Sequence, residues 1–316
     1  MARCVALASL LPATLAAQSG PRVTVAVEPS HVAAIASRVP AGTVALALGN
    51  VGIASTDADV LFYNPGMLTS GRGMSLSAQR YNGNGTAASM AATQLVGSVG
   101  VGIGVRFADW RGPLGFGYTE AVRDGLGVLA LPGAARASST ALTAAAARAL
   151  GPVRLGVSAT YARETYAAQH DEATQFDVGV VWPTGPGNLG LTVQHQGAAL
   201  EIADGFQEFE GAAEWRATLG YGAWGFPLAT FWDFGGTAQL SVDEAGTVRS
   251  AGGIELTYVP VEGVSIAARV GSRSTIGNEL PITGGVGLSL DRYSLDYALE
   301  SFRGGVRAHR IGLRVR

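Results

Sequence analysis

From Met74 to the C-terminus, apolar residues recur at every second position, and that period excludes most folds. Val99, Val101, Ile103, Val105 and Phe107 alternate with Gly100, Gly102, Gly104 and Arg106. Val153, Leu155 and Val157 alternate with Arg154, Gly156 and Ser158, and Tyr293, Leu295, Tyr297 and Leu299 with Ser294, Asp296 and Glu300. Ile311, Leu313 and Val315 close the chain against Arg310, Gly312, Arg314 and Arg316. A two-residue period is a strand with two unlike faces. Hydrophobic residues make up 47% of the 316 and charged residues only 15%. Yet beyond the first twenty or so residues no apolar run is long enough to cross a bilayer as a helix. Apolar content spread one residue in two is how a transmembrane barrel hides its membrane signal.

Alternation alone also fits a soluble sandwich, and the connections separate the two. Strands are expected around Met74, Ala87, Val99, Ala137, Val153, Thr174, Leu189, Glu214, Thr230, Thr247, Val264, Ile282, Tyr293 and Arg307, about fourteen, the even number of a single-chain barrel. Short connections fall at Val96-Gly97, Gly151-Pro152, Pro183 to Gly187, Gly222 to Pro227 and Asp291-Arg292. Between them lie the modest Asn82 to Gly85 and the long Asp109 to Arg136, Glu164 to Glu172, Ala198 to Gly211 and Ser272 to Pro281. Barrels of the outer membrane have short periplasmic turns, long external loops and both termini inside. Greek-key sandwiches have no such parity. The expected fold is therefore all-β: a transmembrane antiparallel up-and-down β-barrel with a small N-terminal plug. Trp110, Tyr161, Trp182, Tyr221, Trp224 and Tyr258 are candidates for its interfacial girdles.

The N-terminal part has a different texture. Met1 to Ala17 reads as a signal peptide, with Arg3 in its charged region, Val5 to Leu11 as its apolar stretch and Ala16-Ala17 before Gln18. The sole cysteine, Cys4, falls inside it, which leaves the exported chain without disulfide or thiol chemistry. Residues 18–41 are expected to be a periplasmic segment, 42–72 a plug and 73–316 the barrel. The expected location is the outer membrane, with its lipid as one partner. Net charge is −2, all 22 basic residues are arginine, and no basic run occurs, so nucleic acid has no electrostatic footprint here.

Gly49-Asn50-Val51-Gly52-Ile53-Ala54, then Asp57-Ala58-Asp59, then Phe62-Tyr63-Asn64-Pro65-Gly66 resembles the N-terminal signature of the FadL-like and PorV/PorQ-like outer-membrane proteins. Ala268-Arg269-Val270-Gly271, Gly285-Val286-Gly287-Leu288, Leu295-Asp296-Tyr297-Ala298 and His309-Arg310-Ile311-Gly312-Leu313 resemble the closing strands of PorV-type barrels. Gly66 stands where alanine is usual, and the chain ends in Arg316 rather than an aromatic residue. Its modest length places the resemblance closer to the PorV-like side. The resemblance implies a plug folded into or under the lumen, with Asn64, Pro65, Gly66, Asp57 and Asp59 as its motif. It also implies one of two roles: uptake of hydrophobic small molecules, or partnership with a protein-secretion machine.

The inward phase carries both signs, in Arg154, Asp177, Arg216, Glu255, Arg269, Asp296, Arg310 and Arg314. Such a lumen either holds water and ions or pairs internally. Gly100, Gly102 and Gly104 leave one inward strip bare, either for close approach of the plug or simply for volume. Leu114, Phe116, Leu126, Leu129 and Leu131 make the Asp109 to Arg136 loop apolar, as a ligand surface or as an extra hairpin of the wall. Catalysis is not expected. His31, His170 (read as loop), His195 (outward phase) and His309 have no nucleophile in a recognisable setting. No metal or cofactor is implied.

Overall fold

In the computed structural model the structure describes residues 35–81, 85–111, 136–166, 169–197, 215–244, 246–275 and 279–316. Fourteen strands form one closed antiparallel barrel, each paired with its neighbours in sequence. They are β1 Gly73–Tyr81, β2 Gly85–Val96, β3 Val99–Arg111, β4 Arg136–Leu150, β5 Val153–Tyr166, β6 Gln169–Thr184 and β7 Gly187–Gly197. The second half comprises β8 Arg216–Ala229, β9 Trp232–Asp243, β10 Val248–Val261, β11 Val264–Arg273, β12 Glu279–Leu290, β13 Tyr293–Phe302 and β14 Arg307–Val315. The barrel closes by pairing β1 with β14, from Met74 opposite Val315 to Tyr81 opposite Ala308. Closure leaves no unpaired edge, the condition for a sheet to stand in hydrocarbon.

Connections alternate as their parity demands. At the end that holds both strand termini, pairs of residues join β2–β3, β4–β5, β6–β7, β8–β9, β10–β11 and β12–β13. Gly97, Gly151, Gly185, Gly263 and Asp291 take left-handed φ in five of these turns, where a tight hairpin needs it. Two connections differ from the sequence reading. β8 runs unbroken through Gly222 to Pro227, because bulges between Ala223 and Phe226 and beyond Pro227 absorb the glycine and proline; the turn is at Thr230-Phe231. Glu164 to Glu172 is mostly wall, since Arg163 pairs with Glu172 and Thr165 with His170 across β5–β6. Polar residues at the far end of a barrel strand look like loop when the strand rises clear of the bilayer.

Alternation sorts the two faces. Met74, Leu76, Ile103, Val157, Ile254, Leu295 and Ile311 point outward and stand exposed. An apolar band of this extent is a membrane surface. Trp182, Tyr221, Trp232 and Tyr258 sit on that outer face towards the short-turn end, with the Trp232 and Tyr258 rings 4.9 Å apart and tilted by 41°. Trp224 does not join this girdle. The bulge turns it inward, over Gly235, where a Cβ would stand 2.3 Å from its ring. The side chain of Trp110 and the loop residues Leu114, Phe116, Leu126, Leu129 and Leu131 lie outside the described set, as does His31.

Inside the barrel sits a plug of four short helical pieces: α1 Ile35–Arg38, α2 Thr43–Ala47, and 3₁₀ turns at Ala58–Phe62 and Pro65–Thr69. Leu46, Leu48, Ile53, Leu61, Met67 and Leu68 are fully buried. Burial this complete, in segments this short, comes from the wall and not from helix propensity.

Candidate functional site

Asn64 organises the plug. Its side-chain oxygen accepts the Gly66 N–H at 3.0 Å, capping the second 3₁₀ turn, and its Nδ2 donates to the Ile53 carbonyl at 3.0 Å. Pro65 begins that turn, where no N–H is needed. Tyr63 draws the rest together: its hydroxyl accepts from the N–H groups of Ala41 and Gly42 and donates to Asn50 Oδ1 at 2.9 Å.

The wall receives this plug on glycine. A Cβ at Gly179 would stand 2.1 Å from Asn64 Oδ1, at Gly156 2.3 Å from the Pro65 carbonyl carbon, and at Gly190 2.8 Å from Asn64 Nδ2. At Gly100 it would meet the Leu68 carbonyl oxygen at 2.5 Å, and at Gly104 the Phe62 ring at 2.4 Å. The pattern continues through Gly220 and Gly222 against Ile53 and Ala54, Gly253 and Gly271 against Leu48 and Gly49, and Gly312 against Thr43. The bare strip on β3 thus serves close approach of the plug. It is one arc of a ring of wall glycines.

Charge completes the fit on one side. Glu255, Arg269, Asp296, Arg314 and Asp57 form a continuous chain: Arg269 Nε–Glu255 at 2.5 Å, Arg269 Nη1–Asp296 at 2.8 Å, Arg314 Nε–Asp296 at 2.7 Å and Arg314 Nη1–Asp57 at 2.7 Å. Arg316 adds a second bond to Asp57 at 2.7 Å. Burial alone would push the Asp57 carboxyl up, but Arg314 and Arg316 hold it down at about 2. Asp59 forms no ion pair among the described residues. Burial first, then the neighbouring Asp57 charge, raises it to about 7.

The remaining lumen residues take separate places. Arg154 donates to Ser70 Oγ at 2.5 Å, Arg216 to Gln194 Oε1 at 2.7 Å, and Asp177 accepts from Ser158 Oγ and from the His195 N–H. His195 is not on the outward phase. A bulge between β6 and β7 puts it at φ 61°, half-buried in the field of Arg216 and Arg106. His170 lies on β6, not in a loop. Arg310, expected on the inward phase, is buried there, and Arg106 joins it. Arg106 clasps the Ser37 carbonyl at 3.0 Å, and the fully buried Arg310 reaches Gln79, Ser77, Ser89 and the Ala41 carbonyl. Both anchor the entering chain above the glycine ring.

No family model matches the sequence, and no curated protein does. Solved structures do. The Ralstonia pickettii toluene transporter TbuX superposes at TM-score 0.59 and 12% identity, over 87% of this chain and 98% of its own. The CymD monoaromatic hydrocarbon channel does so at 0.57 and 11%, over 87% and 96%. A Pseudomonas aeruginosa FadL homologue follows at 0.53 and 11%, over 91% and 99%. The fold is that of these channels. At such identity the likeness shows the fold of the barrel as a whole, and it does not show the PorV-like side of the resemblance.

Proposed function

We propose that the protein resides in the outer membrane and passes hydrophobic or amphipathic small molecules across it. The observation that carries this reading is a barrel filled by a plug seated on a glycine ring, in a fold shared with a toluene transporter and a monoaromatic hydrocarbon channel. A lumen packed to this degree is unsuited to free aqueous diffusion and suited to a route that opens for selected molecules. The apolar stretch Leu126 to Leu131, with Leu114 and Phe116, is the proposed surface that first gathers such molecules. The short-turn end, with both strand termini, faces the periplasm.

The experiment is purification from native membrane in mild detergent with extraction of bound apolar compounds, paired with uptake of a labelled monoaromatic hydrocarbon by cells. A co-purifying apolar ligand, and uptake reduced by deletion of Leu126 to Leu131, are expected. A ligand-free protein with uptake unaffected by the deletion would end this reading. The closing-strand resemblance favours a second reading, a partner subunit of a protein-secretion system. Crosslinking in cells that captures a secretion component, together with absent uptake, would put it first.

A further inference from the structure

The outer wall is not uniformly apolar. At the long-loop end of the closing seam, Arg80 on β1 lies directly opposite His309 on β14, and Arg307 follows two residues on along the same face. All three are exposed on the outer surface, and Arg303 is exposed in the turn just before β14. The Tyr297 hydroxyl bonds His309 Nδ1 at 2.7 Å, which fixes the ring and leaves Nε2 without a partner among the described residues. None of the three arginines forms an ion pair among the described residues. Lumen arginines, by contrast, are matched to carboxylates, carbonyls or hydroxyls.

Depth makes this cluster informative. β1 and β14 have nine residues each, whereas β4 has 15 and β6 has 16. Nine residues at about 3.3 Å rise and roughly 40° tilt cover roughly 23 Å, close to the ~25 Å apolar band of such barrels. The wall is therefore lowest at the seam, and Arg80 and Arg307 stand where apolar chains give way to headgroups. Met74, Leu76, Ile311 and Leu313 lie beneath them on the same face and offer acyl-chain contact. Long arginine stems lie along such a surface while their guanidinium groups reach the polar layer.

We propose that Arg80, Arg307 and His309 bind the phosphorylated headgroup of an outer-leaflet lipid, whose acyl chains lie on the β1–β14 seam. Two guanidinium forks and an imidazole, side by side and without counter-charge, match a phosphate monoester carried at the membrane surface. The site is independent of the transport reading; it rests on the barrel and its orientation.

The test is native mass spectrometry of the delipidated, detergent-solubilised protein titrated with diphosphoryl lipid A, with phosphatidylcholine and inorganic phosphate as separate arms. The double variant Arg80→Gln, Arg307→Gln should bind lipid A about thirtyfold more weakly than the wild type. Arg148→Gln, an exposed arginine near the opposite end of β4, should bind as the wild type does. Heat-shifted gel migration reports folding of each barrel. If the double variant fails to fold, Arg307→Gln alone should show about a fivefold loss. Equal lipid A binding by wild type and seam variant would overturn the proposal, as would an equal loss in Arg148→Gln. Competition by millimolar inorganic phosphate would overturn the lipid as the source of the phosphate.

Discussion

The plug meets the barrel in two different ways. Along β5–β7 the contact is one of shape: Gly156, Gly179 and Gly190 admit Asn64-Pro65-Gly66 to within backbone distance, and no ion pair reaches the plug there among the described residues. Along β13–β14 it is also one of charge, with Asp296 and Arg314 extending a buried ionic chain to Asp57. A shape contact tolerates any pH but no added volume. A charge contact tolerates neither a lost partner nor a change in protonation.

Volume should be the harsher insult. Gly179→Leu would force a side chain through Asn64 and is expected to unseat the plug, exposing residues 42–72 to protease in the folded barrel. Gly236→Ala, on the outer face with its nearest neighbour at 3.5 Å, should change nothing in the same assay. Next comes Arg314→Gln, which breaks the buried chain and leaves Asp57 to Arg316 alone and Asp296 to Arg269 alone. A loss of about 3–5 kcal/mol is expected in chemical unfolding of the detergent-solubilised barrel. Asn64→Ala leaves the Ile53 carbonyl and the Gly66 N–H unpaired, with about 2–4 kcal/mol lost in the same measurement.

The last effect is that of pH. Asp57, depressed to about 2 from 3.8, stabilises the plug above pH 3.8, and that contribution is lost as pH falls towards 2. Asp59 works in the opposite sense. Raised to about 7, it favours the folded state less and less as pH climbs from 3.8, and the decline levels off above 7. Plug stability should therefore peak near pH 4, and Asp59→Asn should abolish the alkaline limb while leaving the acid limb in place. A flat profile in the wild type would remove the charge contact from the comparison.

The wall was legible in the sequence because period two and connection parity are local signals. Strand number, closure and the inward placing of Arg269, Asp296 and Arg314 all follow from them. Boundaries failed where local signals mislead. Gly222 to Pro227 reads as a turn but is a bulged strand, and His195 and Trp224 lie beside bulges that reverse their faces. The glycine ring was visible only in its β3 arc, since Gly156, Gly179 and Gly190 are single residues on separate strands. The seam cluster was invisible for the same reason: 226 residues of sequence separate Arg80 from the last strand's Arg307 but form no run. Only closure of the barrel makes them neighbours.

The most direct test is a planar-bilayer recording of the wild-type protein beside a variant lacking residues 42–71. A plug sealed against the glycine ring should leave the wild type ion-tight, with steady pore conductance in the deletion variant alone. Steady conductance in the wild type would contradict the plug's place as the seal of this barrel.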